Sequence, residues 1–294
     1  MAAIKSGLII KSIGGFYTVE SPDGAYECVP RGIFRKEGKS PCVGDRVEFS
    51  DENVITKILP RKNHLIRPPL ANMDQLIFVV SVCEPSPNLT LLDKFIAIAE
   101  YKQIKPVIVL TKVDLDKYDN IFSIYSKAGI DITVVDYSDA HGIEQVKEIL
   151  GGKISAFTGN SGVGKSTLLN AIDSSLGLKT GEISKKLGRG RHTTRHAELF
   201  KLDNGGYIAD TPGFSTFETN KYDIIRKEEL SACFVEFSEF SDCCRFNDCS
   251  HTKERDCAVI RAVMEGKIAP SRHESYCQMY EEAKNIKEWE IQQP

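Results

Sequence analysis

Apolar positions along the chain keep two different rhythms. From residue 1 to about 67 they alternate with polar ones in short runs: Gly7 to Ile13, Phe16 to Glu20, Ala25 to Val29, Asp45 to Phe49 and Asn53 to Leu59. Gly14-Gly15, Pro22-Asp-Gly24 and Val43-Gly44-Asp45 separate some of these runs with turn chemistry, so five strands are predicted. Five short strands suggest a barrel of the OB type, a fold that binds oligonucleotides on one face and its loops. The stretch Arg61 to Pro69 is polar, basic and proline-stiffened, and reads as a linker. Beyond it the rhythm changes. Strands predicted over Gln75 to Val82, Pro106 to Leu110, Ile132 to Val135 and Lys153 to Phe157 alternate with helices over Leu91 to Tyr101, Lys117 to Ala128, Ile143 to Leu150 and Thr167 to Ile172. That alternation predicts an α/β core, a parallel sheet with helices on both faces and a ligand at the carboxyl ends of its strands. The last part is predicted helical, over Asp256 to Glu265 and from a Ser271-Arg-His-Glu274 capping box to Lys284. The expected domains are 1–67, 68–220 and 221–294.

The core carries motifs with definite chemistry. Gly159-Asn160-Ser161-Gly162-Val163-Gly164-Lys165-Ser166 is a complete phosphate loop between a strand and a helix that continues with Thr167. Its backbone N–H groups can curl round phosphates, Lys165 can reach the β and γ oxygens, and the Ser166 hydroxyl can ligate magnesium. The bland alternative is a glycine-rich turn. Thr111-Lys112-Val113-Asp114 follows a buried strand, where the Asp114 carboxylate can accept from both N1–H and the exocyclic amine of guanine. Adenine offers no such donor pair. Asp210-Thr-Pro-Gly213 ends another strand as D-x-x-G: Asp210 holds magnesium through water and the Gly213 N–H meets the γ-phosphate, unless the stretch is only a tight turn.

The loop Gly188 to His196, basic and glycine-containing, stands where the first switch belongs, with Thr194 or its neighbour Thr193 to ligate magnesium. Phe214 occupies the position after D-x-x-G and cannot orient a water. His192 is the candidate that can, although Arg189, Arg191, His192 and Arg195 would equally form an RNA-facing loop. Asp136 to Ala140 is placed to buttress the base, through Ser138 and Asp139, or simply caps the next helix. The guanine motif precedes the phosphate loop, the reverse of the usual order, so the domain reads as circularly permuted. Compact α/β domains tolerate this because their ends lie at the surface.

Composition changes the picture little: 294 residues, 41% hydrophobic, 27% charged and a formal net charge of −3 fit a globular protein of two or three domains. Nothing resembles a signal peptide or a spanning segment, so a cytoplasmic protein without a membrane partner is expected. Any nucleic-acid contact has to be local. Arg31, Arg35, Lys36 and Lys39 gather between the third and fourth strands, as an RNA-contacting loop or a solvated turn.

Cysteine does change it. In a cytoplasmic chain Cys244, Cys249, His251 and Cys257 have the spacing of a tetrahedral, structural zinc site, with Cys243 an adjacent competitor and Cys233 a small buried apolar residue. Val259, Ile260, Val263 and Met264 can cover this knuckle, while Arg255, Arg261, Lys267 and Arg272 can face out. The module is too small for a large core, so metal is expected to supply much of its stability.

Barrel, permuted GTPase motifs and C-x4-C-x-H-x5-C knuckle together resemble the bacterial small ribosomal subunit biogenesis GTPase A family over essentially the whole chain. The resemblance implies hydrolysis of GTP to GDP and phosphate, stimulated by the small subunit, late in that subunit's maturation and coupled to release. It implies that His192 is catalytic and that Phe214 replaces a glutamine. Thr111 departs from the asparagine commoner in GTPases, and its hydroxyl is expected to weaken one contact. A monomer is expected. The alternative is a zinc-stabilised ribosomal-RNA-binding module in which the nucleotide is mainly structural.

Overall fold

The computed structural model describes residues 4–36, 38–66, 69–176, 198–210 and 224–286. The chain divides into two compact units, the first drawn from Met1–Leu76, Lys147–Thr158 and Ser166–Ser215, the second from Ile77–Val146, Gly159–Lys165 and Thr216–Pro294.

In the first unit, β1 (Ile4–Ile13), β2 (Phe16–Ser21), β3 (Gly24–Pro30), β4 (Arg46–Ser50) and β5 (Val54–Ile58) close into a barrel. β1 pairs antiparallel with β2 along one side and with β4 along the other, Leu8 lying opposite both Glu20 and Arg46, while β3 meets β5 in parallel. Alternation puts Ile9, Val19, Cys28, Val47, Phe49 and Ile55 fully inside. A one-turn helix, α1 (Ile33–Lys36), crosses between β3 and β4.

The start of the stretch read as a linker is anchored on the barrel. Arg61 places Nε and Nη2 2.7 and 2.8 Å from the two oxygens of the fully buried Asp45 and also donates to the Ser40 carbonyl, and β6 (His64–Leu65) pairs with β7 (Leu70–Ala71). A bidentate ion pair with a buried carboxylate overrides local polarity. The same unit carries β11 (Ile154–Thr158), β12 (Glu198–Lys201) and β13 (Tyr207–Asp210). β13 runs parallel to β11 and antiparallel to β12, and β12 pairs with β1 at Glu198↔Lys11.

In the second unit β8 (Gln75–Ser81), β9 (Lys105–Thr111) and β10 (Asp131–Val134) lie in that order, β9 and β10 parallel. β8 is buried at every position, as its unbroken apolar run requires. The helices are α2 (Leu89–Tyr101), capped by Asn88 accepting from the Leu91 N–H, α3 (Asp119–Lys127) and α4 (His141–Leu150), whose last turn belongs to the first unit. α5 (Lys165–Ile172) follows the phosphate loop and, from Ser166 on, belongs to the first unit.

The C-terminal part of this unit holds α6 (Lys227–Leu230), α7 (Ser238–Ser241), α8 (Ala258–Met264) and α9 (Pro270–Lys284). Its core is shared with α2: Ala97 and Ile98 join Leu230, Phe234, Phe237, Val259, Ala262, Ile268 and Tyr276 in one cluster. The module thus has more apolar packing than its own length promises. Three local expectations are corrected. Pro270 opens α9 at its first position with no side-chain cap, so the Ser271 capping box is not used. Met264 is 82% exposed and covers nothing. Arg272, expected to face out, is 1% exposed: on α9 it shares an i, i+3, i+4, i+7 stripe with Ser275, Tyr276 and Met279.

Candidate nucleotide site and metal centre

Residues 159 to 164 are the turn between the end of β11 and the start of α5. Gly159 has φ +154°, and a Cβ there would lie 2.5 Å from the Val79 carbonyl oxygen; Gly164 has φ +93°. Backbone sterics therefore exclude larger residues at both. Val163 is buried and anchors the loop, Asn160, Ser161 and Gly162 are exposed, and Lys165 Nζ curls back to within 3.2 Å of the Gly159 carbonyl. Ser166 and Thr167 stand in the first turn of α5, where helix N–H groups favour an anion. In the first unit, Ala209 of β13 lies opposite Ala156, so Asp210 ends its strand beside the end of β11.

Thr111 is fully buried at the end of β9, and its hydroxyl donates to the Val163 carbonyl at 2.6 Å and lies 3.3 Å from the Val80 carbonyl. The base-reading motif is thereby tied to the phosphate loop by a short hydrogen bond. Lys112 takes the left-handed conformation, φ +57°, and its Nζ donates to the Glu84 carbonyl, which the Ser81 hydroxyl also reaches at 3.0 Å. The left-handed turn leaves Asp114 exposed just beyond the strand end. Ser138 and Asp139 are exposed on the loop before α4. Sequence reasoning missed the loop after β8, whose Pro85 would lie 3.8 Å from a Cβ on Gly162, and missed Tyr137. The first belongs to no contiguous motif, and the second stands in the Asp136 to Ala140 stretch, where only Ser138 and Asp139 were singled out. Arg189, Arg191, His192, Thr193, Thr194, Gly213 and Phe214 lie outside the described residues, as does the side chain of Arg35; Arg31, Lys36 and Lys39 are exposed.

The cysteine cluster closes as a site. The ligand atoms of Cys244, Cys249, His251 and Cys257 all lie within 4.8 Å of one another. Cys244 Sγ is 3.8 Å from Cys257 Sγ and 3.6 Å from His251 Nδ1, and His251 Nδ1 is 3.4 Å from Cys257 Sγ. A tetrahedral ion with metal–sulfur bonds of about 2.3 Å and a metal–nitrogen bond of about 2.0 Å needs edges of about 3.8 and about 3.5 Å, so these four residues could hold a metal ion. Both His251 with φ +56° and the start of α8 serve this geometry: the Ala258 N–H points at Cys244 Sγ at 3.3 Å and the Ile260 N–H at Cys257 Sγ at 3.5 Å, donors suited to thiolates.

Burial pushes the Cys249 thiol up to about 12 and lowers the His251 imidazole, so their surroundings favour the neutral forms, and a bound cation would reverse that preference for the thiol. Support comes from residues no motif marks. Tyr276 Oη donates to the Ser250 carbonyl at 2.8 Å, His273 Nε2 lies 2.7 Å from the His251 carbonyl, and Glu254 accepts from Ser250, Thr252 and Lys253 N–H groups. Burial works against the charge of Glu254, yet the Ser250 hydroxyl and these N–H groups win and hold it at about 2.

Arg272 joins this module to α2 and α3. Its Nε and Nη2 meet the Glu236 carboxylate at 2.7 and 3.0 Å, its Nη1 meets Asp93 Oδ1 at 2.9 Å, and Tyr125 Oη donates to the same Asp93 oxygen at 2.9 Å. The guanidinium also lies 4.5 Å over the Phe234 ring.

Comparison with known proteins places this geometry. The model for the RsgA GTPase matches residues 58–220, and that for the RsgA N-terminal domain matches residues 6–56. The chain is 48% identical to a small ribosomal subunit biogenesis GTPase RsgA from Caldanaerobacter subterraneus over 95% of each chain. It is 46% identical to that from Streptococcus pneumoniae over 96% of each. The crystal structure of YjeQ from Thermotoga maritima superposes with a TM-score of 0.81 at 38% identity, covering 97% of this chain and 100% of that one. YloQ, described as a circularly permuted GTPase, gives 0.80 at 36% identity over 97% and 96%.

Proposed function

The chain belongs to the RsgA GTPase family, and on that premise we propose that it is a GTP hydrolase of small-subunit biogenesis, acting on the subunit late in its maturation and leaving it on hydrolysis. The observation that carries the nucleotide reading is the Thr111 hydroxyl on the Val163 carbonyl, which holds a guanine-reading motif and a phosphate loop in one arrangement. N–H groups of Gly159 to Thr167 and the Lys165 ammonium bind the phosphates, and Thr111, Lys112 and Asp114 fix the base. Ser166 and Thr194 hold magnesium, which neutralises phosphate charge when bound. Asp210 and Gly213 carry the switch, and His192 orients the attacking water. Zinc on Cys244, Cys249, His251 and Cys257 is structural. Arg31, Arg35, Arg189 and Arg191 contact ribosomal RNA phosphates, which supply affinity rather than sequence choice. The three working parts are residues 1–67, 68–220 and 221–294. The protein works as a cytoplasmic monomer; among the described residues no helix is long and apolar enough to cross a membrane.

The test is GTP turnover with and without purified small subunits, for wild type and His192→Ala. Stimulation by subunits that the variant loses while still binding GTP supports the mechanism. Unstimulated turnover sinks the ribosomal reading, and normal stimulation of the variant returns His192 to the RNA-facing loop. Retention on the subunit after hydrolysis would favour an RNA-binding module with a structural nucleotide.

A further inference from the structure

Tyr137 lies on the loop between β10 and α4, and 43% of its surface is exposed. Its hydroxyl end points inward, where burial pushes the phenol up to about 12. A Cβ placed on Gly164 would find Thr111 Oγ1 at 3.8 Å and the Tyr137 hydroxyl at 4.0 Å. The phenol tip therefore reaches the part of the phosphate loop that Thr111 holds. The loop on either side is pinned by its own carboxylates: the Ser138 N–H donates to Asp136 Oδ1 at 2.8 Å, and the His141 N–H to Asp139 Oδ1 at 2.9 Å. The backbone that carries the ring is thus held, and the ring stays partly exposed.

A nucleotide with phosphates on residues 159 to 165 and its base edge at Asp114 passes Gly164, which precedes Lys165, and Thr111, which begins the guanine motif. Tyr137 touches the space beside both. We propose that the Tyr137 ring is a side wall of the guanine site, against which the base lies flat while Asp114 reads its edge, and that the far end of the ring rests beside the phosphate loop. The inference rests on the guanine-nucleotide reading above and adds to it a residue of the Asp136 to Ala140 stretch other than Ser138 and Asp139. An aromatic face suits the task because every purine has a π-face, while the hydrogen bonds to Asp114 keep the choice of base.

The experiment compares wild type, Y137F and Y137A by release of a fluorescently labelled GDP and by steady-state GTP hydrolysis. Loss of one base–aromatic contact is expected to speed release about 10-fold in Y137A and raise KM about 10-fold, with kcat within about twofold of wild type. Y137F keeps the ring and stays within about twofold in release and KM. Melting of the nucleotide-free proteins checks the fold. Should Y137A melt low, Y137L, which keeps bulk without a flat face, is expected to release as fast as Y137A while melting like wild type. Wild-type release from Y137A or from a stable Y137L overturns the wall, as does a fall in kcat at unchanged KM. If wild type itself bound no guanine nucleotide, the nucleotide reading would fall; normal wild-type binding with an indifferent Y137A sinks the wall alone.

Discussion

Thr111 shows what a single hydroxyl decides. Valine has nearly its shape but no donor, so Thr111→Val leaves the Val163 carbonyl inside the protein without its 2.6 Å partner. A stranded buried acceptor costs about 1–3 kcal/mol. The expected result is GTP and GDP affinity lowered about 10-fold or more with guanine still preferred to adenine, because Asp114 is untouched. Calorimetric titration with GTP, GDP and ATP decides it, and unchanged affinity would show that the tie is idle. The motif letters at Thr111, Lys112, Asp114 and Gly159 to Ser166 were legible because each is a contiguous string whose chemistry is local. The partner of Thr111 stands 52 positions away, so this tie was not. Tyr137 escaped for a related reason: a lone tyrosine on a polar loop looks like any other until Gly164 and Thr111 are beside it.

At the level of elements, helix rhythm and strand rhythm were readable in the longer elements, from the mostly apolar β8 to the alternating barrel strands, but not in short ones such as β6, β7 and β12. Pairing between distant elements was not. α9 carries a core stripe in which Arg272 takes an apolar residue's place, and only Glu236 and Asp93, from two other segments, make that position habitable. Periodicity assigns arginine to the outside because it cannot see such partners. Arg272→Met should therefore be costly: it leaves two carboxylates buried unpaired, with Asp93 Oδ2 already lacking a hydrogen-bond partner, and removing one member of a buried pair costs about 3–5 kcal/mol. Urea unfolding followed by circular dichroism is expected to show that loss, and Arg272→Lys, a point charge in place of a fork, part of it. A midpoint unchanged by either substitution would mean that the cluster contributes nothing net. The four-residue metal cluster lay at the other extreme, visible in spacing alone because its ligands are close in sequence.

For the molecule as a whole, the core shared by α2 and the C-terminal helices means that a boundary at residue 220, where the family's GTPase model ends, cuts through packing. A chain ending there would expose Ala97 and Ile98 and strip Asp93 of its guanidinium. It is expected to aggregate or to melt without a cooperative transition, as size-exclusion chromatography and thermal scans would show; a soluble, sharply melting fragment would contradict the shared core. The permuted order was legible from motif sequence, but the shared core was not, since nothing in residues 89 to 101 announces a partner beyond residue 220. β1 carries a consequence of a different kind, one of timing. Barrel strands β2 to β5 are all made by residue 58, so β1 finds those partners early. The far edge of its second half waits for β12, and Lys11 and Glu198, 2.7 Å apart in the finished fold, are 187 positions apart in the chain. At about 5–20 residues per second of synthesis, that edge stays open for roughly 10–40 s on every nascent chain. An unpaired strand edge invites the wrong neighbour, and a lysine on it deters one. Lys11 thus guards the edge during synthesis and becomes half of an ion pair once Glu198 arrives.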